Sequence, residues 1–162
     1  MPSLMRQINI ISRCGMLWRG DKLKDTGLRP VHATYILVLC HTPGLSQEQL
    51  ARRIYINKSN VTRHLTALER DGFIERRQSE ADRRVSLVYP TDRAYETLPA
   101  IKQTMREWNT YLTEGLSKEE IDTMQTLIGR ICDRATTYAQ CELDEDEILS
   151  APISSLREVN AK

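Results

Sequence analysis

Between residues 57 and 64 the chain reads NKSNVTRH, and every side chain there except Val61 carries a hydrogen-bonding or charged group. Asn57 and Asn60 offer paired donors and acceptors, Ser59 and Thr62 offer hydroxyls, and Lys58, Arg63 and His64 offer cationic or imidazole nitrogens. A second set follows within twenty or so residues: Arg76, Arg77, Asp82, Arg83 and Arg84. The chemistry on offer is recognition of polar edges and anionic groups rather than bond making. There is no Gly-rich phosphate loop and no Ser or Cys nucleophile with an identifiable base, so the chain reads as a non-enzyme. His32, His41 and His64 are scattered and the four cysteines, at 14, 40, 132 and 141, make no C-x-x-C pair, so neither a metal nor another cofactor is expected.

The surrounding elements explain why those residues matter. Ser46 and Gln49 form an S-x-x-Q capping box, which starts a helix that runs to about Ile54. A second helix over 58–70 carries Val61, Leu65 and Leu68 on one face and ends at Gly72. Ala51 is small where the two must approach. Short β-prone segments at 73–77 and 85–88 flank a charged stretch and predict a hairpin with a long tip. Upstream, apolar residues at helical spacing predict a helix over 3–24, with Gly27 as a stop, and a second, mostly buried one over 31–41 beginning at Pro30. Downstream, Thr91 or Asp92 can cap a helix striped by Ala94, Leu98, Ile101, Met105, Trp108 and Leu112. Ser117 and Glu120 form another capping box, and Ile121, Met124, Ile128, Ile131, Ala135 and Tyr138 repeat the stripe, so a helical hairpin is expected over roughly 92–139.

Helix, turn, helix, hairpin is the order of a winged helix-turn-helix. The start of its second helix fits a DNA major groove, with Lys58 and His64 suited to phosphates and Asn60, Thr62 and Arg63 to base edges. The segment SQEQLARRIYINKSNVTRHLTALERDGFIERR, with Asp82-Arg83-Arg84 ahead of VSLVYPT, resembles the DNA-binding part of the MarR (multiple antibiotic resistance regulator) family. The resemblance spans roughly residues 4–140. It implies that Asp82 orients Arg84 toward the minor groove, where a narrow A·T tract attracts a guanidinium. Ser46, Arg76, Arg77 and Arg83 complete the expected DNA-binding set. Two positions depart from the family pattern: Tyr89-Pro90-Thr91 has no glycine nearby, and Arg29 stands where a Ser or Thr cap is usual.

The expected fold is mainly α with a small β-hairpin wing and long dimerisation helices. The organisation is an N-terminal dimerisation helix (1–30), a winged domain (31–91), a C-terminal helical hairpin (92–140) and an acidic then polar, loosely ordered tail (141–162). One recognition helix and wing read one half-site, so a homodimer on pseudo-palindromic double-stranded DNA is expected. The charge distribution agrees, being net positive by 4 over 1–45 and by 3 over 46–84, and net negative by 6 over 85–162. The resemblance also implies a small aromatic effector that releases a repressor; Trp18, His32, Tyr35 and Trp108 are the candidate lining residues. An architectural or protein-interaction module without an effector is the alternative. Redox sensing through Cys14 is weaker, because it does not fall on the reactive cysteine of peroxide-sensing relatives and no base is visible beside it. No apolar run is long enough to cross a membrane, and the cysteine usage fits a reducing cytoplasm.

Overall fold

The computed structural model describes residues 3–143, with side chains described as far as residue 139. The elements are α1 (Leu4–Lys22), α2 (Ala33–His41), β1 (Leu45–Ser46), α3 (Gln47–Ile54), α4 (Lys58–Arg70), β2 (Ile74–Gln78), β3 (Ser86–Pro90), α5 (Asp92–Leu112) and α6 (Lys118–Leu143). Two compact units divide the chain, the first ending at Trp108 and the second beginning at Asn109. No helix of the described residues is long and apolar enough to cross a membrane.

In the first unit, α2, α3, α4 and the sheet enclose one apolar core. Leu28, Ile36 and Leu39 meet Leu50, Val61, Leu65 and Leu68 of the helix pair, Phe73, Ile74 and Val88 of the hairpin, and Ala94 and Ile101 of α5. The i, i+4, i+7 spacing on α4 buries one face and leaves the opposite one to water. The second predicted helix opens as a 3-10 turn, Pro30–His32, because Arg29 supplies no side-chain cap and the backbone tightens to satisfy its own groups.

The sheet has three strands where a two-stranded hairpin was expected. Its order is β1-β3-β2, with Leu45 opposite Val88 and Ser46 opposite Leu87. Gly44, at φ +81°, turns the chain onto that edge, and a Cβ there would lie 3.0 Å from the Tyr89 hydroxyl. The approach of α5 is fixed without the glycine that the family pattern supplies. Thr91 donates its backbone N–H to the Phe73 carbonyl at 3.0 Å and its hydroxyl to the Gly72 carbonyl at 2.7 Å, so its side chain ties α5 to the hairpin instead of capping it.

In the second unit the Ser117 box forms as the sequence implies. The Ser117 N–H donates to the Glu120 carboxylate at 2.8 Å and the Glu120 N–H to the Ser117 hydroxyl at 3.3 Å, which holds that carboxyl below the usual carboxylate range. Helix α6 continues to Leu143, three residues into the segment assigned to the tail, and residues 144–162 lie outside the described residues. Cys14 is exposed on α1, whereas burial pushes the Cys40 thiol up to about 11 and leaves it a poor nucleophile.

Candidate nucleic-acid interface

The candidate surface is assembled by two caps and one tight turn. Ser46 accepts from the Gln49 N–H at 3.2 Å while Gln49 accepts from the Ser46 N–H at 2.8 Å. Helix α3 ends at Tyr55, whose backbone is left-handed at φ 54° and ψ 44°, and three residues later α4 begins. Asn57 caps α4 by accepting from the Ser59 N–H at 2.9 Å and from the Ser59 hydroxyl at 2.8 Å. That cap commits the Asn57 oxygen and the Ser59 proton to the fold, and leaves the Asn57 amide nitrogen as a donor.

Along α4, Lys58, Ser59, Asn60, Thr62 and Arg63 are all exposed. Lys58 sits 3.7 Å from the Glu48 carboxylate, which Arg52 shares at 3.3 Å. Arg63 reaches the Asn60 side-chain oxygen at 3.5 Å, a contact loose enough to be exchanged for a ligand. Thr62 is tied down more firmly. Its hydroxyl donates to the Lys58 carbonyl at 3.0 Å and accepts from the Gln47 side-chain amide, which also donates to the Lys58 carbonyl at 3.3 Å.

His64 occupies the inner flank of the same helix. Its Nδ1 lies 3.2 Å from His32 Nε2, and its ring centroid is 5.4 Å from that of Tyr35. Burial and the Arg63 charge lower its pKa. His32 is pushed further, down to about 4, by burial, by His64 and by Arg29. The imidazole expected to meet a phosphate is therefore engaged through Nδ1 by a neutral partner.

The wing carries the remaining cations in unequal states. Arg76 is braced on α4 by Glu69 at 3.4 Å and Thr66 at 3.4 Å. Arg77 pairs with Glu75 and lies 4.7 Å above the Tyr89 ring. Arg83 and Arg84 occupy the tip, where the turn is closed by Ser79 N–H to Val85 carbonyl and Val85 N–H to Asp82 carbonyl bonds, both 2.9 Å. The Asp82 carboxylate accepts from the Arg84 N–H at 2.9 Å and lies 3.6 Å from its Nε. The Arg84 side chain is nonetheless 95% exposed. A guanidinium aimed by one carboxylate oxygen and otherwise bare is ready to meet an anion.

The four expected effector-lining residues fall into two ring groups. Trp18 and Trp108 have centroids 5.5 Å apart, and Trp18 donates to the Thr104 carbonyl at 3.2 Å. His32 and Tyr35 are buried, edge to face at 6.2 Å, beside His64. The Tyr35 hydroxyl is buried without a hydrogen-bond partner. Sequence reasoning did not single out Gln47 or the orphaned hydroxyl, since each depends on a neighbour distant in the chain.

Residues 32–86 match the MarR family model. Over 131 residues the chain is 24% identical to YybA of Bacillus subtilis, an uncharacterized HTH-type transcriptional regulator, covering 81% of this chain and 87% of that one. It is similar to a crystal structure of MarR at 26% identity, with a TM-score of 0.76 and coverage of 84% and 92%. A structure from Listeria monocytogenes, assigned to the MarR family and complexed with a 26mer DNA, shares the fold at a TM-score of 0.79 and 19% identity, covering 93% of this chain and all of that one.

Proposed function

We propose that this chain, which carries a MarR-family winged helix-turn-helix domain over residues 32–86, is a sequence-specific double-stranded DNA-binding transcriptional regulator that acts as a cytoplasmic homodimer. The fold and relatives are those of regulators, not enzymes. The observation that carries the reading is the pairing of an exposed polar α4 face with Arg84, 95% exposed yet anchored to Asp82. Lys58, Asn60, Thr62 and Arg63 lie in the major groove, and Arg84 enters the flanking minor groove, where an A·T tract concentrates negative potential.

Duplexes selected from a random pool will share a short pseudo-palindrome, and affinity for them will fall steeply with salt as counterions are released. Arg84→Ala will weaken binding roughly tenfold and relax the A·T preference beside each half-site. A flat salt titration, or an Arg84→Ala protein with unchanged affinity and preference, would overturn the assignment.

The regulator is a repressor released by a small aromatic effector. Support comes from the buried, unpartnered Tyr35 hydroxyl beside His32, a polar group in search of a ligand in an aromatic setting. Trp18 and Trp108, the other two expected lining residues, are the only tryptophans and pair with each other, so fluorescence titration with simple phenols reports binding at that second ring group. Saturable quenching with a parallel loss of operator affinity is expected; binding without that loss argues against release.

A further inference from the structure

Two residues at the joint of the two helices, Gln47 and Lys58, leave Thr62 only part of its hydrogen-bonding capacity. The Lys58 carbonyl can only accept, so the Gln47 atom 3.3 Å from it must be the amide nitrogen, and this fixes the amide orientation. The same nitrogen reaches the Thr62 hydroxyl oxygen, which must then accept. The single Thr62 proton is directed to the Lys58 carbonyl at 3.0 Å. A hydroxyl whose donor is used along the helix cannot donate to a purine N7, a guanine O6 or a thymine O4.

What exposed Thr62 has left for a ligand is its Cγ2 methyl and one lone pair. Neighbouring Thr66 makes the same turn along the helix, its hydroxyl donating to the Thr62 carbonyl at 3.0 Å. Arg76 Nη2 caps the Thr66 oxygen at 3.4 Å. This stretch of α4 thus shows a row of threonines whose polar atoms are turned to the fold while Thr62 and Thr66 remain exposed. The major groove presents one apolar feature, the C5-methyl of thymine.

We propose that Thr62 reads a thymine methyl in each half-site by apolar contact, and that Gln47, which touches no base, is the positioning residue that holds it in that role. This rests on the DNA-binding reading above. The division of labour along α4 is then Asn60 and Arg63 for hydrogen-bonded base edges and Thr62 for the methyl.

Bound duplexes are selected from a random pool, and the best is remade with deoxyuridine replacing each thymine in turn, which deletes only the methyl. At one position per half-site wild-type affinity drops about fourfold, the worth of one buried methyl group. Thr62→Ser, lacking the methyl, loses this thymine preference, whereas Thr62→Val, which keeps it and cannot hydrogen-bond, retains it. Gln47→Ala leaves the Lys58 carbonyl as the one contact holding the hydroxyl and so diminishes the preference; adding Thr62→Val to Gln47→Ala restores it. A purely structural role for Gln47 would lower overall affinity and thermal stability without moving the thymine-to-uracil ratio. Sequence-selective binding with no uracil-sensitive position dependent on Thr62, or loss of the preference in Thr62→Val, overturns this inference alone. Absence of sequence-selective binding to any duplex overturns it together with the reading it rests on.

Discussion

His32 is 1% exposed, packed between the Tyr35 and His64 rings, and hydrogen-bonded through Nε2 to His64 Nδ1 at 3.2 Å. Only one of the facing nitrogens can carry a proton, because two N–H groups pointed at each other would repel. Burial, His64 and Arg29 accordingly lower the His32 pKa to about 4, against an ordinary value near 6.5. Above 6.5 both native and unfolded chains hold a neutral imidazole, and nothing depends on pH. Between 6.5 and about 4 the unfolded chain takes up a proton that the native one refuses, so stability is lost as pH falls through this window. Roughly 2 kcal/mol should disappear between about pH 7 and pH 5. Urea titrations at the two pH values check this. His32→Gln, which cannot titrate, should show a shallower loss, and equal losses in both proteins would sink the account.

Among the elements, the turn between α3 and α4 places the recognition face, and it does so through a residue ill suited to it. Tyr55 adopts φ 54°, the one positive φ among the described non-glycine residues, and its side chain is 43% exposed. Left-handed backbone costs a residue with a Cβ about 1 kcal/mol or more. Tyr55→Gly relieves that strain and loses little packing, though the freer unfolded chain offsets part of the gain. A net stabilisation of about 0.5 kcal/mol is expected in thermal or urea melts, and a clear loss would mean that the Tyr55 ring contributes more than its exposure suggests. The same turn shows what was legible in the sequence. Both capping boxes, the apolar face of α4 and the two strands of the wing follow from local spacing, since each needs residues only three or four apart. Edge strand β1 was not legible: two residues long, half-buried on both sides, it exists only because β3 offers an open edge 43 residues away in pairing Leu45 with Val88. The inward turn of His64 and the hold of Gln47 on Thr62 were hidden for the same reason. In each, an exposed-looking polar residue meets its partner only after the chain has folded.

At the scale of the whole molecule, each of the two units carries a helix with exposed apolar residues. On α1, Leu4, Ile8 and Ile11 are 40 to 52% exposed at i, i+4 and i+7, and Leu17 is 77% exposed. On α6, Leu127, Ile128 and Ile131 are 42 to 51% exposed. Patches of this kind mark association surfaces, and a two-fold dimer also matches a pseudo-palindromic operator. A substitution in an isologous interface is made twice. With about two fifths of each isoleucine left to bury, replacing one in each subunit forfeits about 1 to 2.5 kcal/mol of apolar burial, roughly tenfold or more in the dimer dissociation constant, and an aspartate adds the cost of burying a carboxylate. Ile8→Asp and, separately, Ile131→Asp should shift the molar mass from dimer toward monomer in light scattering at micromolar concentration. Helical circular dichroism should stay unchanged, since neither side chain is in the intramolecular core. Operator affinity should drop sharply in both, because a lone winged domain holds only one half-site, while binding to an isolated half-site should change little. A wild-type monomer, or a dimer that survives both substitutions, would leave the exposed stripes unexplained and the two-fold reading of DNA without its physical basis.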